Sequence, residues 1–195
     1  LPGANFAMKE AMTMSSDGMF LALKISNFLV VDIYDLSTFT KLQILPGFGK
    51  DMGGSMSFSK NANIFAWSEP ETSQVHVYHY NSQNKKYTAL INSPISVFNV
   101  SGFGHSVSVS GDGRSLAVGA VSPPTGKVLE IGKVFMDDYD WWRDAISERG
   151  GVFVFKIEND KWEQVSAFER DQTLYEKIGW TVSMSGNGKV VVLGS

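Results

Sequence analysis

One arrangement of residues recurs four times in register along the 195-residue chain. Repetition at such an interval marks units that bury their apolar faces by stacking on one another. The clearest copy reads FGHSVSVSGDGRSLAVGA, from Phe103 to Ala120. Its Ser110 is followed two residues on by Asp112, and the same step recurs as Ser15 with Asp17, Ser59 with Asn61, and Ser185 with Asn187. Three residues and one residue before each Ser stand apolar pairs: Met12 and Met14, Met56 and Phe58, Val107 and Val109, Val182 and Met184. Six residues before it comes Gly53, Gly104 or Gly179, with Lys9 in the first copy. Seven residues after it comes Ala22, Ala66, Ala117 or Val192.

Alternation of apolar and polar residues on both sides of an Asp/Asn-Gly step predicts a hairpin in each copy. Asp and Asn tolerate positive φ and Gly supplies it freely, so a tight primed turn is expected. The second copy has Asn61-Ala62 instead, and a looser or longer turn is expected there. A third alternating run follows at Val30 to Tyr34, Val75 to Tyr80 and Val152 to Phe155. An aromatic residue then opens a fourth, at Phe39 to Leu42, Tyr87 to Leu90 and Trp162 to Val165. The turn residues at positions 17, 61, 112 and 187 lie 44, 51 and 75 residues apart. The first two intervals suit a four-stranded propeller blade, and the third a blade with an insertion of about 25 residues.

The expected fold is therefore all-β, a partial β-propeller of about three and a half four-stranded antiparallel blades. Blade one spans 6–45, blade two 46–94, blade three 95–171 with an inserted loop at 122–150, and half of blade four 172–195. The glycines of the repeat are then turn and packing glycines. A phosphate loop would need a helix N-terminus after the glycines, and an apolar strand at Ser115 to Gly119 follows instead. A ring typically needs at least about four blades. Further sequence, or a partner chain that completes the ring, is expected; Leu1-Pro2 at the start suggests an excerpt of something longer.

Composition narrows the function classes. A chain 43% hydrophobic and 19% charged is a folding one. Net charge of −3 and a pI near 5.6 leave no basic footprint for nucleic acid. No apolar run approaches the roughly 20 residues of a membrane-spanning helix. With no cysteine, disulfides, thiol nucleophiles and Cys-based zinc sites are excluded.

Chemistry concentrates in the insertion, which holds Met136-Asp137-Asp138-Tyr139-Asp140-Trp141-Trp142-Arg143-Asp144. Loops on a rigid scaffold collect binding residues, and Trp, Tyr and Arg anchor interfaces. Tyr139, Trp141, Trp142 and Arg143 are thus candidate binding residues for a protein, or for a glycan stacked on the indoles; the alternative is a loop folded over its own blade. Asp138, Asp140 and Asp144, with Glu148, are weak candidates for calcium, because bulky Trp141-Trp142 stands where a calcium loop turns on glycine. Trp141 to Glu148 reads equally as a short helix with acids at its start. His76 and His79, three apart on a strand, point to opposite faces. His105 faces either the central channel or a neighbouring blade. The serines of the hairpins read as strand and turn residues. Asn99-Val100-Ser101 is a glycosylation sequon. Methionines 8, 12, 14 and 19, with Phe20, Phe28 and Leu29, make blade one unusually apolar, either as soft core or as a face against a partner.

The register resembles the FG-GAP type of β-propeller repeat found in integrin α-chain heads and many surface proteins. The residues that carry it are Phe103-Gly104, Ser106-Val107-Ser108, Asp112-Gly113 and Leu116-Ala117-Val118-Gly119-Ala120, and again Ile178-Gly179-Trp180, Val182-Ser183-Met184-Ser185, Gly188 and Val192-Leu193-Gly194. Val152 to Phe155 followed by Trp162 is similar to that family's third and fourth strands. The resemblance implies a non-enzymatic structural or recognition module of a larger extracellular or cell-surface protein, with protein or glycan partners, adhesion, and no cofactor. The calcium loop of integrin-like repeats is not matched: Ser110-Gly111-Asp112-Gly113 offers one carboxylate where calcium takes about 6–8 oxygens. The competing class is a propeller enzyme, a glycan hydrolase or lyase, with Asp137, Asp138 and Asp140 as its only clustered acids.

Overall fold

A computed structural model describes residues 11–25, 30–47, 54–98, 100, 102–121, 151–159, 161–169 and 178–194. The described residues form four antiparallel sheets. The first holds β1 (Ala11–Met14), β2 (Phe20–Ile25), β3 (Val30–Asp35) and β4 (Thr40–Pro46). The second holds β5 (Met56–Phe58), β6 (Ile64–Glu69), β7 (Gln74–Asn81) and β8 (Lys86–Ala89). β9 (Phe103–Val109), β10 (Ser115–Ala120), β11 (Gly151–Glu158) and β12 (Lys161–Glu169) make the third. β13 (Thr181–Met184) and β14 (Val191–Gly194) make a two-stranded fourth. Strands lie in chain order within each sheet, and the first strands of successive sheets adjoin. This is an all-β partial propeller.

Hydrophobic burial happens between sheets. Ala22, Val31, Ile33 and Leu45 of the first sheet pack on Phe65, Trp67, Tyr78 and Tyr87 of the second. Ile64, Ala66, Val75 and Val77 pack on Phe103, Val107, Val109 and Leu116 of the third. Ala117 and Val152 meet Ile178 and Met184 of the fourth. The period-2 rule sorts these sets. Small residues seven after the hairpin serine face the following sheet, and the apolar pair three and one before it faces the preceding sheet.

The hairpin turns differ from the primed turns expected. Each is a four-residue turn in which the Ser carbonyl accepts the N–H of the residue three on: Gly18 at 2.9 Å, Ala62 at 3.0 Å, Gly113 at 3.0 Å and Gly188 at 2.9 Å. Only that last residue has positive φ, at 71°, 55°, 72° and 65°. The Asp or Asn has another task. In blade three the Ser110 hydroxyl donates to Asp112 Oδ1 (2.6 Å) and accepts the Ser115 N–H (2.9 Å), while Asp112 Oδ1 accepts the Arg114 N–H (2.9 Å). Ser15 with Asp17 and Ser185 with Asn187 repeat the set. Two side chains thus satisfy backbone donors that a two-residue turn would have paired with carbonyls. The second copy is not looser: Ala62 adopts the left-handed conformation and closes the same turn. Asp112, which hydrogen bonds from Ser110 and Arg114 hold below the usual carboxylate range, is engaged in this turn.

The fourth strands begin one residue off the aromatic rule in all three blades, Trp162 being the second residue of β12. Phe39 stands outside β4, in the preceding turn, with φ of 54° and 85% exposure. Tyr87 is the second residue of β8, where it is buried and donates its hydroxyl to Ala62 O at 2.8 Å.

Candidate functional site

The serine turns cap one end of the arc. The connections from second to third strand, including the insertion, leave from the other. Ala120 and Gly151, the stems of the insertion, pair directly. Gly179 of the next blade lies against them: a Cβ there would fall inside van der Waals contact with Gly151 O and stand 3.0 Å from the Ala120 N. Next in sequence, Trp180 is 46% exposed and packs its ring 4.5 Å from that of His105. His105 therefore faces a neighbouring blade. The stems Ala120 and Gly151 thus lie against Gly179, the residue that precedes Trp180 and its ring contact with His105. The loop candidates Tyr139, Trp141, Trp142, Arg143, Asp138, Asp140 and Asp144, and the sequon Asn99, lie outside the described residues.

Trp180 escaped the sequence reading because its position in the repeat, five before the hairpin serine, is not apolar in the other blades: Glu10, Gly54 and His105 stand there. The signal was Trp180 following the packing glycine where His105 follows Gly104.

A second constellation sits at the same end, in the junction between blades one and two. Lys24 points inward from β2 and is 3% exposed, its Nζ 5.4 Å above the Trp67 ring. Trp67 stacks on His76 at 4.6 Å with planes 13° apart. His76 Nε2 lies 3.4 Å from Glu69 Oε2, and Thr72 Oγ1 donates to the same oxygen at 3.2 Å. Gly54 makes room: a Cβ there would stand 3.0 Å from Lys24 Nζ. Burial lowers the Lys24 pKa, partly offset by the attraction of Glu69 and Glu71. Burial also lowers the His76 pKa, opposed by Glu69 and reinforced by Lys24. A base whose folded pKa is depressed adds stability above its unfolded pKa of 6.5, which is lost as pH falls through the folded value. The urea midpoint of the protein is thus expected to drop as pH falls below about 6.5, and His76→Gln to flatten that step. An unchanged slope in the variant would remove His76 as the cause.

Among the described residues no three His, Asp or Glu side chains are grouped to hold a metal ion. A cleft of about 480 Å³ opens between the turns of blades three and four, lined by Arg114, Lys156 and Lys189 against Asp112 and Glu158. Its charges are mixed, so it selects neither sign.

No protein-family model matches this sequence, and no curated protein matches it. Its fold does match solved propellers. The β-propeller domain of Cps50 (Swd1) from Myceliophteria thermophila aligns with TM-score 0.57 and 8% identity over 94% of this chain and 48% of that one. KlAtg21, in its complex with the coiled coil of AgAtg16, aligns with TM-score 0.57 and 14% identity over 96% and 50%. A Bacteroides fragilis protein provisionally named a 6-phosphogluconolactonase aligns with TM-score 0.54 and 11% identity over 95% and 41%. The chain thus belongs by fold to the β-propellers, and spans about half the length of those it matches. Among the described residues no helix is long and apolar enough to cross a membrane.

Proposed function

We propose that this arc is a recognition module that binds a protein or glycan partner at the end carrying the insertion. The observation that supports the reading most is the convergence of the insertion stems, Ala120 and Gly151, on the half-exposed Trp180 and its neighbour His105. Aromatic anchors on a rigid rim contribute contact area at small entropic cost. Tyr139, Trp141, Trp142 and Arg143 of the insertion would supply further anchors. A non-enzymatic role, an extracellular or cell-surface setting with Asn99 glycosylated, and FG-GAP kinship belong to the same proposal and rest on the residue likeness alone. No cofactor is invoked, and calcium enters only through Asp138, Asp140 and Asp144.

A photo-crosslinking residue at position 142 is expected to give one discrete adduct in the native setting, and the same residue at position 39, in an exposed turn at the far end, none. A glycan partner would register instead as retention on an oligosaccharide panel, lost in Trp180→Ala. Neither adduct nor retention would overturn the reading. The alternative, a propeller enzyme, draws on the buried Glu69–His76 pair and on the provisional lactonase name of one structural relative. Hydrolysis of a sugar lactone by the purified chain, abolished by Glu69→Gln, would replace recognition with catalysis.

A further inference from the structure

The residue five after the hairpin serine opens the second strand of its blade and faces the next blade. In blade one it is Phe20, which packs edge-on at 5.1 Å and 6.1 Å from the rings of Tyr80 and Tyr87. In blade two it is Ile64, buried in the apolar core shared with blade three. In blade three it is Ser115. This serine is buried against Gly188, where an added Cβ would stand 2.5 Å from its hydroxyl, but it is too short to fill the space beyond. The cleft of about 480 Å³ opens beside it, within the range of about 300–1,000 Å³ usual for small-molecule sites. Its mouth belongs to the repeat. Lys156 pairs with Ser115 as His79 pairs with Ile64, and His79 is exposed although a four-stranded blade follows it.

Three segments line the cleft, and each sets a cation two positions from an acid or an amide: Arg114 with Asp112, Lys156 with Glu158, Lys189 with Asn187. The counterpart positions of the three cations in blades one and two hold Met19, Asn63, Asp35 and His79. Among the described residues no ion pair joins the charges of the cleft to one another. Charges kept apart around a hollow remain available to a ligand, and a hollow that selects neither sign suits a molecule carrying both. We propose that this cleft binds a small zwitterion, a free α-amino acid or a short peptide, with its carboxylate on Arg114 and Lys189 and its ammonium on Glu158. A guanidinium takes a carboxylate through two parallel hydrogen bonds, which a lysine beside it reinforces as a point charge. Asp112 is less available to the ammonium, because its Oδ1 already accepts the Ser110 hydroxyl and the Arg114 N–H. The cleft lies at the serine-turn end, opposite the insertion, so the proposal does not rest on the recognition reading.

Isothermal titration calorimetry of the 195-residue chain against the proteinogenic amino acids and glycylglycine should give at least one dissociation constant below about 1 mM. The N-acetyl and C-amide forms of that ligand each lack one charge and should bind at least about 10-fold more weakly. Arg114→Ala and Glu158→Gln should weaken the zwitterion by a similar factor. Both side chains are exposed, so the circular-dichroism spectrum should not change. Ser115→Ile puts the blade-two residue into the same register and should abolish binding by filling the hollow. Lys86→Ala, at the start of β8, should leave binding as it was. Tighter binding of glycylglycine than of glycine would name a peptide as the source of the ligand, and the reverse a free amino acid. No heat from any probe up to about 10 mM, acetate binding as tightly as the zwitterion, or unchanged binding in Ser115→Ile would overturn the proposal.

Discussion

Gly179→Ala is expected to lower stability by about 3 kcal/mol or more, the range of substitutions that force a backbone to move. Two costs combine. The residue has φ of +91°, which an L side chain rarely adopts. Its Cβ would also collide with the Gly151 carbonyl oxygen, and with the Ala120 backbone beyond it. Neither obstacle is the tip of a flexible side chain, so blade four must tilt away from blade three. Gly18→Ala isolates the first cost, because φ there is +71° but nothing lies within 4 Å of the added Cβ. It should lose only about 1 kcal/mol. Urea titration followed by amide exchange over residues 178–194 would measure both. Equal losses in the two variants would show that the inter-blade contact contributes nothing.

Glu69→Ala is expected to cost about 3 kcal/mol, several times the loss from a typical surface ion pair. Glu69 is 3% exposed and holds His76 and Thr72 through one oxygen. It also supplies the larger of two attractions that keep buried Lys24 charged. Without it the ammonium stays desolvated above Trp67 with Glu71 alone opposing the penalty. The double variant Glu69→Ala with Lys24→Met should recover much of the loss, because removing both ends of a buried pair is far cheaper than removing one. Thermal unfolding of the two variants decides the matter, and a double variant no better than the single would mean that Glu69 acts through shape rather than charge.

The blades were legible in the sequence because period-2 alternation and a repeated hairpin are local signals. Ser110, Asp112 and their counterparts marked every turn, although the turn type was missed. A dipeptide such as Asp112-Gly113 suggests a primed loop, and only the geometry showed the Ser hydroxyl and Asp carboxylate taking up two N–H groups. The Lys24–Trp67–His76–Glu69 group was illegible for a different reason. Its members come from two blades, 52 positions from end to end, and Lys24 stands where the repeat otherwise places Ser68, Gly119 and Gly194. A departure from the repeat was the available signal. Trp180 departs from the repeat in the same way, standing where the other blades have Glu10, Gly54 and His105.

Among the described residues each wedge of the arc makes its main contacts with its neighbours, and the bonds from the Val109 N–H to Ser57 and from the Met184 N–H to Ser108 are links in a line rather than spokes of a hub. Such a molecule behaves thermodynamically like a short row of dominoes, with its free energy the sum of intrinsic and nearest-neighbour parts. Among the described residues the two-stranded wedge of β13 and β14 packs on the third sheet and keeps one strand residue, Met184, buried, so it is the most weakly anchored link of the row. Any partner that grips this wedge therefore stabilises the wedges beside it, by strengthening the link at which opening is easiest.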